Sequence, residues 1–160
     1  MRFLALIALL AVAASIAAAS AQTKTRNGHD GKPPAGLELT YTKWIAPYPT
    51  MVGFVGGDIV GKFSGGVLER TVTGNTIHLT AIYIVIGPDP AHSFTAHVEG
   101  TEVVVGQGGH AVLEGRVVDG LLKHGHVHVE FDVISCTQSP SGTCFQGTIS
   151  VKQGSDSHRH

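Results

Sequence analysis

Residues 126–133 read HVHVEFDV, a strict alternation of polar and apolar side chains. Successive side chains of an extended strand point to opposite faces. The valines and Phe131 would therefore share one face, and the histidines and acids the other. One apolar and one polar face are typical of an antiparallel sheet that covers a core on one side. This stretch predicts a strand at His126–Ser135.

The same alternation recurs on both sides of that strand, in SFTAHVE at residues 93–99 and in FQGTISV at residues 145–151. Turn residues separate the β-rich runs: Gly74-Asn75 is a tight-hairpin signal, and Pro88-Asp89-Pro90 forces a turn. The complete set of predicted strands is Leu37–Ile45, Thr50–Val55, Ile59–Phe63, Val67–Thr73, Thr76–Ile86, Ser93–Glu99, Glu102–Val105, His110–Val118, His126–Ser135 and Cys144–Val151.

Short strands joined by short turns predict an all-β fold, since no stretch between residues 37 and 152 has a helical period. We expect an antiparallel barrel of about eight strands, with a two-sheet sandwich as the alternative. Glycines within the predicted strands, at Gly61, Gly115 and Gly147, favour the barrel because tightly curved strands need kinks.

Two segments share spaced glycines flanked by apolar residues: GDIVGKFSG at Gly57–Gly65 and GHAVLEGRV at Gly109–Val117. Their spacing resembles the glycine-spaced strands (G-x-F/L-x-G) of the allene oxide cyclase and dirigent-like barrel proteins, over residues 53–120. The resemblance implies an eight-stranded barrel with an apolar interior cavity that holds a lipid or a phenolic ligand. None of that family's functional residues maps onto this chain.

The N-terminal residues have the three parts of a secretory signal peptide: the charge of Arg2, the apolar run Leu4–Ala19, and the small-x-small site Ala19-Ser20-Ala21. We therefore predict a signal peptide at residues 1–21, a flexible arm at 22–36, the barrel at 37–152 and a disordered tail at 153–160. The expected location is extracellular, or periplasmic in a bacterium.

The mature chain would carry a formal net charge of −2, because cleavage removes Arg2 and leaves ten basic and twelve acidic residues. The chain therefore has no excess of basic residues of the kind that would favour nucleic acid as a partner. An outer-membrane barrel would need two aromatic girdles, and only 6% of the residues are aromatic. We expect neither nucleic-acid binding nor membrane insertion.

Cys136 and Cys144 are the only cysteines, and the polar residues between them form a short turn. A secreted chain would oxidise such a pair to one structural disulfide. Its spacing is not that of a redox CxxC motif.

Ten histidines are present, and the densest group is His124-Gly125-His126-Val127-His128. His126 and His128 would project from the same strand face about 7 Å apart, so they are candidate ligands for Zn, Cu, Fe or Ni. The candidates to complete the shell are His124, Glu130, His97 and His78. The alternative, which we favour, is that both histidines form part of the barrel's solvated outer face.

No nucleophile motif such as Gly-x-Ser-x-Gly occurs, and we expect no cofactor. Tyr41–Pro49 is rich in aromatic residues and proline, which would rim a ligand mouth or cap a barrel corner. The apolar run Ala81–Ile86 and the family resemblance favour a barrel that binds a small apolar ligand. The alternatives are a non-enzymatic extracellular module that binds a partner and a metal-dependent enzyme that uses His126 and His128. Whether the chain is catalytic and how it oligomerises stay open.

Overall fold

The structure is a computed structural model that describes residues 35–154. The predicted signal peptide lies outside these residues, as do most of the predicted arm and tail. Eight antiparallel strands, each paired with the next along the chain, form a closed barrel because β1 also pairs with β8. Their bounds are β1 Gly36–Ile45, β2 Thr50–Gly57, β3 Gly61–Thr73, β4 Thr76–Ile86, β5 Phe94–Val105, β6 Gly108–Gly120, β7 His126–Ser135 and β8 Thr143–Lys152. The predicted all-β barrel is confirmed.

Alternation places the apolar face of each strand inside the barrel. In β7, Val127, Val129 and Phe131 are buried, and His126 is exposed, as predicted. The buried apolar residues that line the interior along the other strands are Leu37, Leu39, Tyr41, Met51, Val55, Phe63, Ile77, Ala81, Tyr83, Val85, Phe94, Ala96, Val98, Ala111, Leu113, Val117, Ile149 and Val151. The interior is therefore filled mainly by the protein's own side chains.

Two predicted breaks in the strands were wrong, because β3 and β5 are each continuous. β3 runs through Gly65, where a Cβ would overlap the carbonyl oxygen of Ile82. β5 runs through Gly100, where a Cβ would overlap the carbonyl oxygen of Val112. These glycines mark a close approach of neighbouring strands and not a turn.

The two ends of the barrel differ. At the end that carries the β2–β3 and β6–β7 turns, Ile59 and Leu122 fold inward and join the core with 2% and 8% exposure. These two side chains form a plug that fills this end of the barrel. Ile59 was predicted to begin a strand, but β3 begins at Gly61. Leu122 has a φ of 56°, which is unfavourable for a branched side chain. Burial of its side chain offsets that cost, which is about 1–2 kcal/mol.

The opposite end carries the β1–β2, β3–β4, β5–β6 and β7–β8 turns, and we call it the mouth. The predicted Gly74-Asn75 hairpin joins β3 to β4 there. Cys136 and Cys144 are bonded across the β7–β8 turn, with their Cα atoms 5.7 Å apart, as predicted. Cys144 lies in β8 and is fully buried, so the bridge ties this turn to the barrel wall.

Curvature at the inward-facing glycines is open to a direct test. Gly115→Ala would place a Cβ against the carbonyl oxygen of His97, whereas a Cβ at Gly66 meets nothing closer than 3.7 Å. We expect Gly115→Ala to lower the free energy of unfolding by about 2–3 kcal/mol, and Gly66→Ala by under about 1 kcal/mol. Urea denaturation followed by circular dichroism measures both, and equal losses would contradict the close approach.

Candidate functional site

A lysine is buried in the barrel interior near the mouth. Lys43 continues the inward series Leu37, Leu39 and Tyr41 of β1 and is 3% exposed. Its Nζ atom donates a hydrogen bond to the hydroxyl of Tyr83 on β4. A charged side chain is seldom this deeply buried unless it is paired, so this position requires a physical explanation.

Aromatic rings surround the Lys43 ammonium group. Its Nζ lies 4.2 Å from the ring centroid of Tyr83 and 4.5 Å from that of Phe131. The other three rings of this aromatic cage, at 5.6–5.7 Å, belong to Tyr41, Phe63 and Phe145. The negative ring faces attract the cation, and each such contact contributes up to about 2 kcal/mol when desolvated.

Burial nevertheless outweighs this attraction and lowers the pKa of Lys43 from 10.5 to about 7, while the charge of Glu102 acts in the opposite direction. That shift is equivalent to about 5 kcal/mol against the charged form. Near neutral pH a large fraction of Lys43 is therefore an uncharged amine, which has a free lone pair.

Glu102, near the end of β5, is the second buried charged group at the mouth. Burial raises the pKa of its carboxyl, and the nearby charges of Arg70 and Lys43 oppose this rise. Burial also raises the pKa of Tyr83 and Tyr41 well above the ordinary value, so both phenols keep their protons at neutral pH. The hydroxyl of Tyr41 is buried and makes no hydrogen bond to another residue in the range 35–154.

Lys43 and Glu102 line a cavity of about 170 Å³ that lies at the mouth. Its remaining wall is apolar and aromatic apart from the exposed Arg70: Ile45, Tyr48, Met51, Val67, Ile77, Leu79, Phe131 and Phe145. A concave, mainly apolar site with a few converging polar groups is typical of a small-molecule binding site. Perturbed pKa values in such a cleft add to that indication.

Residues of the aromatic and proline-rich segment Tyr41–Pro49 lie in different parts of this site. Tyr41 belongs to the interior cage, and Tyr48 lies in the β1–β2 turn, where it lines the cavity with 63% of its surface exposed. Trp44 packs against Phe54 with ring centroids 5.7 Å apart. Tyr48 of this segment thus lies at the mouth of the cavity, and rimming a ligand mouth was one of the two roles predicted for the segment.

The predicted metal ligands lie elsewhere, on the outer face of β7. The Nδ1 atom of His128 is 2.5 Å from Glu114 Oε1, and its Nε2 atom is 3.0 Å from Glu130 Oε1. Nδ1 of His126 is 3.5 Å from the other Glu114 oxygen. Hydrogen bonds to Glu114 and then to Glu130 raise the pKa of His128, which favours the imidazolium form. A metal ion requires a free ring nitrogen, so at His128 it would have to displace a carboxylate.

The histidines considered as further ligands are not brought to this cluster. His97 pairs with Arg116, which in turn pairs with His126, so His97 is two strands away. His78 pairs with Thr101 on β5, and His124 lies in the β6–β7 turn. Within residues 35–154 no group of three or more His, Cys, Asp or Glu side chains is placed to hold a metal ion. A metal at His126 and His128 stays a prediction.

No protein-family model, curated protein or solved structure matches the chain. The resemblance to the allene oxide cyclase and dirigent-like barrels therefore stays a prediction. No helix within residues 35–154 is long and apolar enough to cross a membrane.

Lys43 and Glu102 were missed in the sequence, although a signal for both was present. Lys43 stands in the apolar phase of β1, two residues after Tyr41, and Glu102 in the apolar phase of β5, four residues after Val98. A charged residue in the inward phase of a strand is the signal. The predicted break at Gly100 separated Glu102 from the alternation of Phe94, Ala96 and Val98, so its inward phase was not recognised.

Replacement of Lys43 should make the barrel more stable in a pH-dependent way. The lowered pKa means that the unfolded state binds more protons than the folded state between about pH 7 and pH 10.5, so wild-type stability rises with pH across this window. Lys43→Met removes the free-energy cost of burying a charged amine. We expect it to raise the free energy of unfolding by about 2 kcal/mol or more at pH 6, and the gain to shrink towards pH 10.

Urea denaturation at pH 6, 8 and 10 measures this difference. Lys62→Met is the matched control, because Lys62 lies exposed on the outer face of β3. Its stability difference from wild type should stay within about 0.5 kcal/mol at each pH. A Lys43→Met curve parallel to that of the wild type would contradict a lowered pKa.

Proposed function

We propose that this protein is a secreted β-barrel that binds a small, mainly apolar molecule in the cavity at its mouth. The observation that carries the proposal is the cavity itself, in which apolar and aromatic walls surround Lys43 and Glu102. A purely structural barrel gains nothing from a buried lysine, since burying a charge costs several kcal/mol. A ligand that accepts a hydrogen bond from Lys43 would explain why this costly residue is present.

The volume of the cavity limits the size of the ligand. An apolar cavity of about 150 Å³ accepts benzene in another protein, so the 170 Å³ here suits one aromatic ring or a short chain. A phenolic ligand, one of the two classes implied by the family resemblance, fits this limit better than a long acyl chain. Phe131 and Phe145 offer ring faces and edges for stacking against an aromatic ligand.

The polar groups at the cavity favour a ligand with an oxygen at one end. Lys43 and Arg70 are hydrogen-bond donors at neutral pH, and Glu102 with its raised pKa donates when protonated. A hydroxyl, carbonyl or carboxylate oxygen would accept from these donors while its carbon skeleton packs on the apolar wall. This pairing satisfies the buried polar groups and fixes the ligand's orientation.

Phenol is the simplest probe of the cavity. We expect it to shift the NMR signals of Ile45 and Phe131 on titration, and Ile45→Trp, which fills the cavity, to weaken binding at least about tenfold. Ile86→Trp is the matched control, because Ile86 is exposed and ends β4 at the plugged end. Binding of phenol that is equal in both variants would place the site elsewhere. Absence of binding, with no small molecule retained in native mass spectrometry, would favour a partner-binding module.

Secretion is supported by the apolar run Leu4–Ala19 with its small-x-small site and by the bridge between Cys136 and Cys144. Expression of the full chain in a secreting host should release a protein whose N-terminus is Gln22, and intact mass spectrometry measures this. The mass should also be lower by two hydrogens because of the disulfide. A product that stays in the cytosol with Met1 intact would contradict secretion.

A further inference from the structure

The amine of Lys43 combines three properties that a nucleophile requires. It lines a cavity open at the mouth, it donates its hydrogen bond to the Tyr83 phenol and not to a carboxylate, and five aromatic rings surround it. Lysines that are desolvated in an apolar pocket serve as nucleophiles towards carbonyl compounds, because desolvation favours the neutral amine. Binding alone needs only a donor, so these properties extend beyond the role proposed above.

We propose that Lys43 forms an imine with a small aldehyde that enters the cavity at the mouth. This inference rests on the proposed ligand-binding function and specifies the reactive group of the ligand. The cavity admits an aldehyde on a single ring, and its aromatic wall would hold the ring while the carbonyl carbon meets Nζ.

The reaction needs no oxidant, reductant or co-reactant. The lone pair of Lys43 Nζ attacks the carbonyl carbon, a C–N bond forms, and the carbonyl oxygen takes up a proton while the nitrogen loses one, which gives a carbinolamine. Its hydroxyl group then leaves as water with one further proton, and the nitrogen lone pair forms the C=N bond of an iminium ion. Loss of the remaining N–H proton gives the imine and returns the proton that left with the water. One aldehyde and one amine give one imine and one water.

Tyr83 and Glu102 are the proton-carrying groups placed to assist. The Tyr83 hydroxyl accepts from Nζ and keeps its own proton, which it can donate to the carbonyl oxygen beside the amine. Glu102 lines the same cavity, and burial raises the pKa of its carboxyl, which favours the protonated form that can donate to the departing hydroxyl.

Selectivity for Lys43 over the other lysines follows from the ionisation of its amine. At pH 7 about half of Lys43 is neutral, against under about one part in a thousand for a lysine of ordinary pKa. The exposed lysines Lys62, Lys123 and Lys152 are internal standards in the same molecule.

The test is reductive trapping on the intact folded protein. The mature protein is incubated with benzaldehyde and cyanoborohydride at pH 7, and peptide mapping by mass spectrometry locates the added benzyl groups. We expect one group per chain at Lys43, formed at least about tenfold faster than at Lys62. The preference should fall as pH rises from 7 to 10, because lysine amines of ordinary pKa lose their protons towards the upper end of that range. Lys62→Met should retain the Lys43 adduct.

Phenol binding separates the two proposals. If phenol binds at the mouth but benzaldehyde labels Lys43 no faster than Lys62, imine formation is overturned and ligand binding stands. If phenol also fails to bind, both proposals fail. The mapping uses wild-type protein, so its result does not depend on whether Lys43→Met folds; where that variant folds, it should lose the fast phase of labelling.

Discussion

Pairing of β1 with β8 closes the sheet, and the interior of the protein exists because of that closure. Eight residue pairs, from Gly36 with Lys152 to Lys43 with Phe145, join the first strand to the last. A closed sheet has no free edge, and its inward side chains are sealed from water on all sides of the wall. The same register places Lys43 beside Phe145, so the contact that closes the barrel also builds part of the aromatic cage.

The residues that fill the interior differ in type between the two ends of the barrel. Towards the plugged end it is filled mainly with aliphatic residues. Towards the mouth, five aromatic rings and the buried side chains of Lys43 and Glu102 replace them. The rings reduce the cost of burying an amine without removing it, which is why the amine is both retained inside and shifted towards its neutral form.

The sequence was sufficient to predict the barrel, the bridge between Cys136 and Cys144, and the outward position of His126 and His128. Each follows from local rules: alternation sets the faces of a strand, and a short polar turn brings two cysteines together. The joining of Ser93–Glu99 and Glu102–Val105 into β5 depends instead on how closely another strand approaches Gly100, which is a property of the sheet. The cage around Lys43 collects rings from β1, β3, β4, β7 and β8, and no local pattern in the sequence indicates that those five residues meet.

The plug formed by Ile59 and Leu122 makes the barrel a cup and not a conduit. A solute that enters at the mouth has no second exit and must leave along the path by which it came. Arrival and departure therefore share one bottleneck, and a change in its width would slow or speed both by the same factor while leaving the equilibrium between them unchanged. Tyr48 lies at the mouth with most of its surface in solvent, so its ring is placed to affect how fast a ligand enters and leaves.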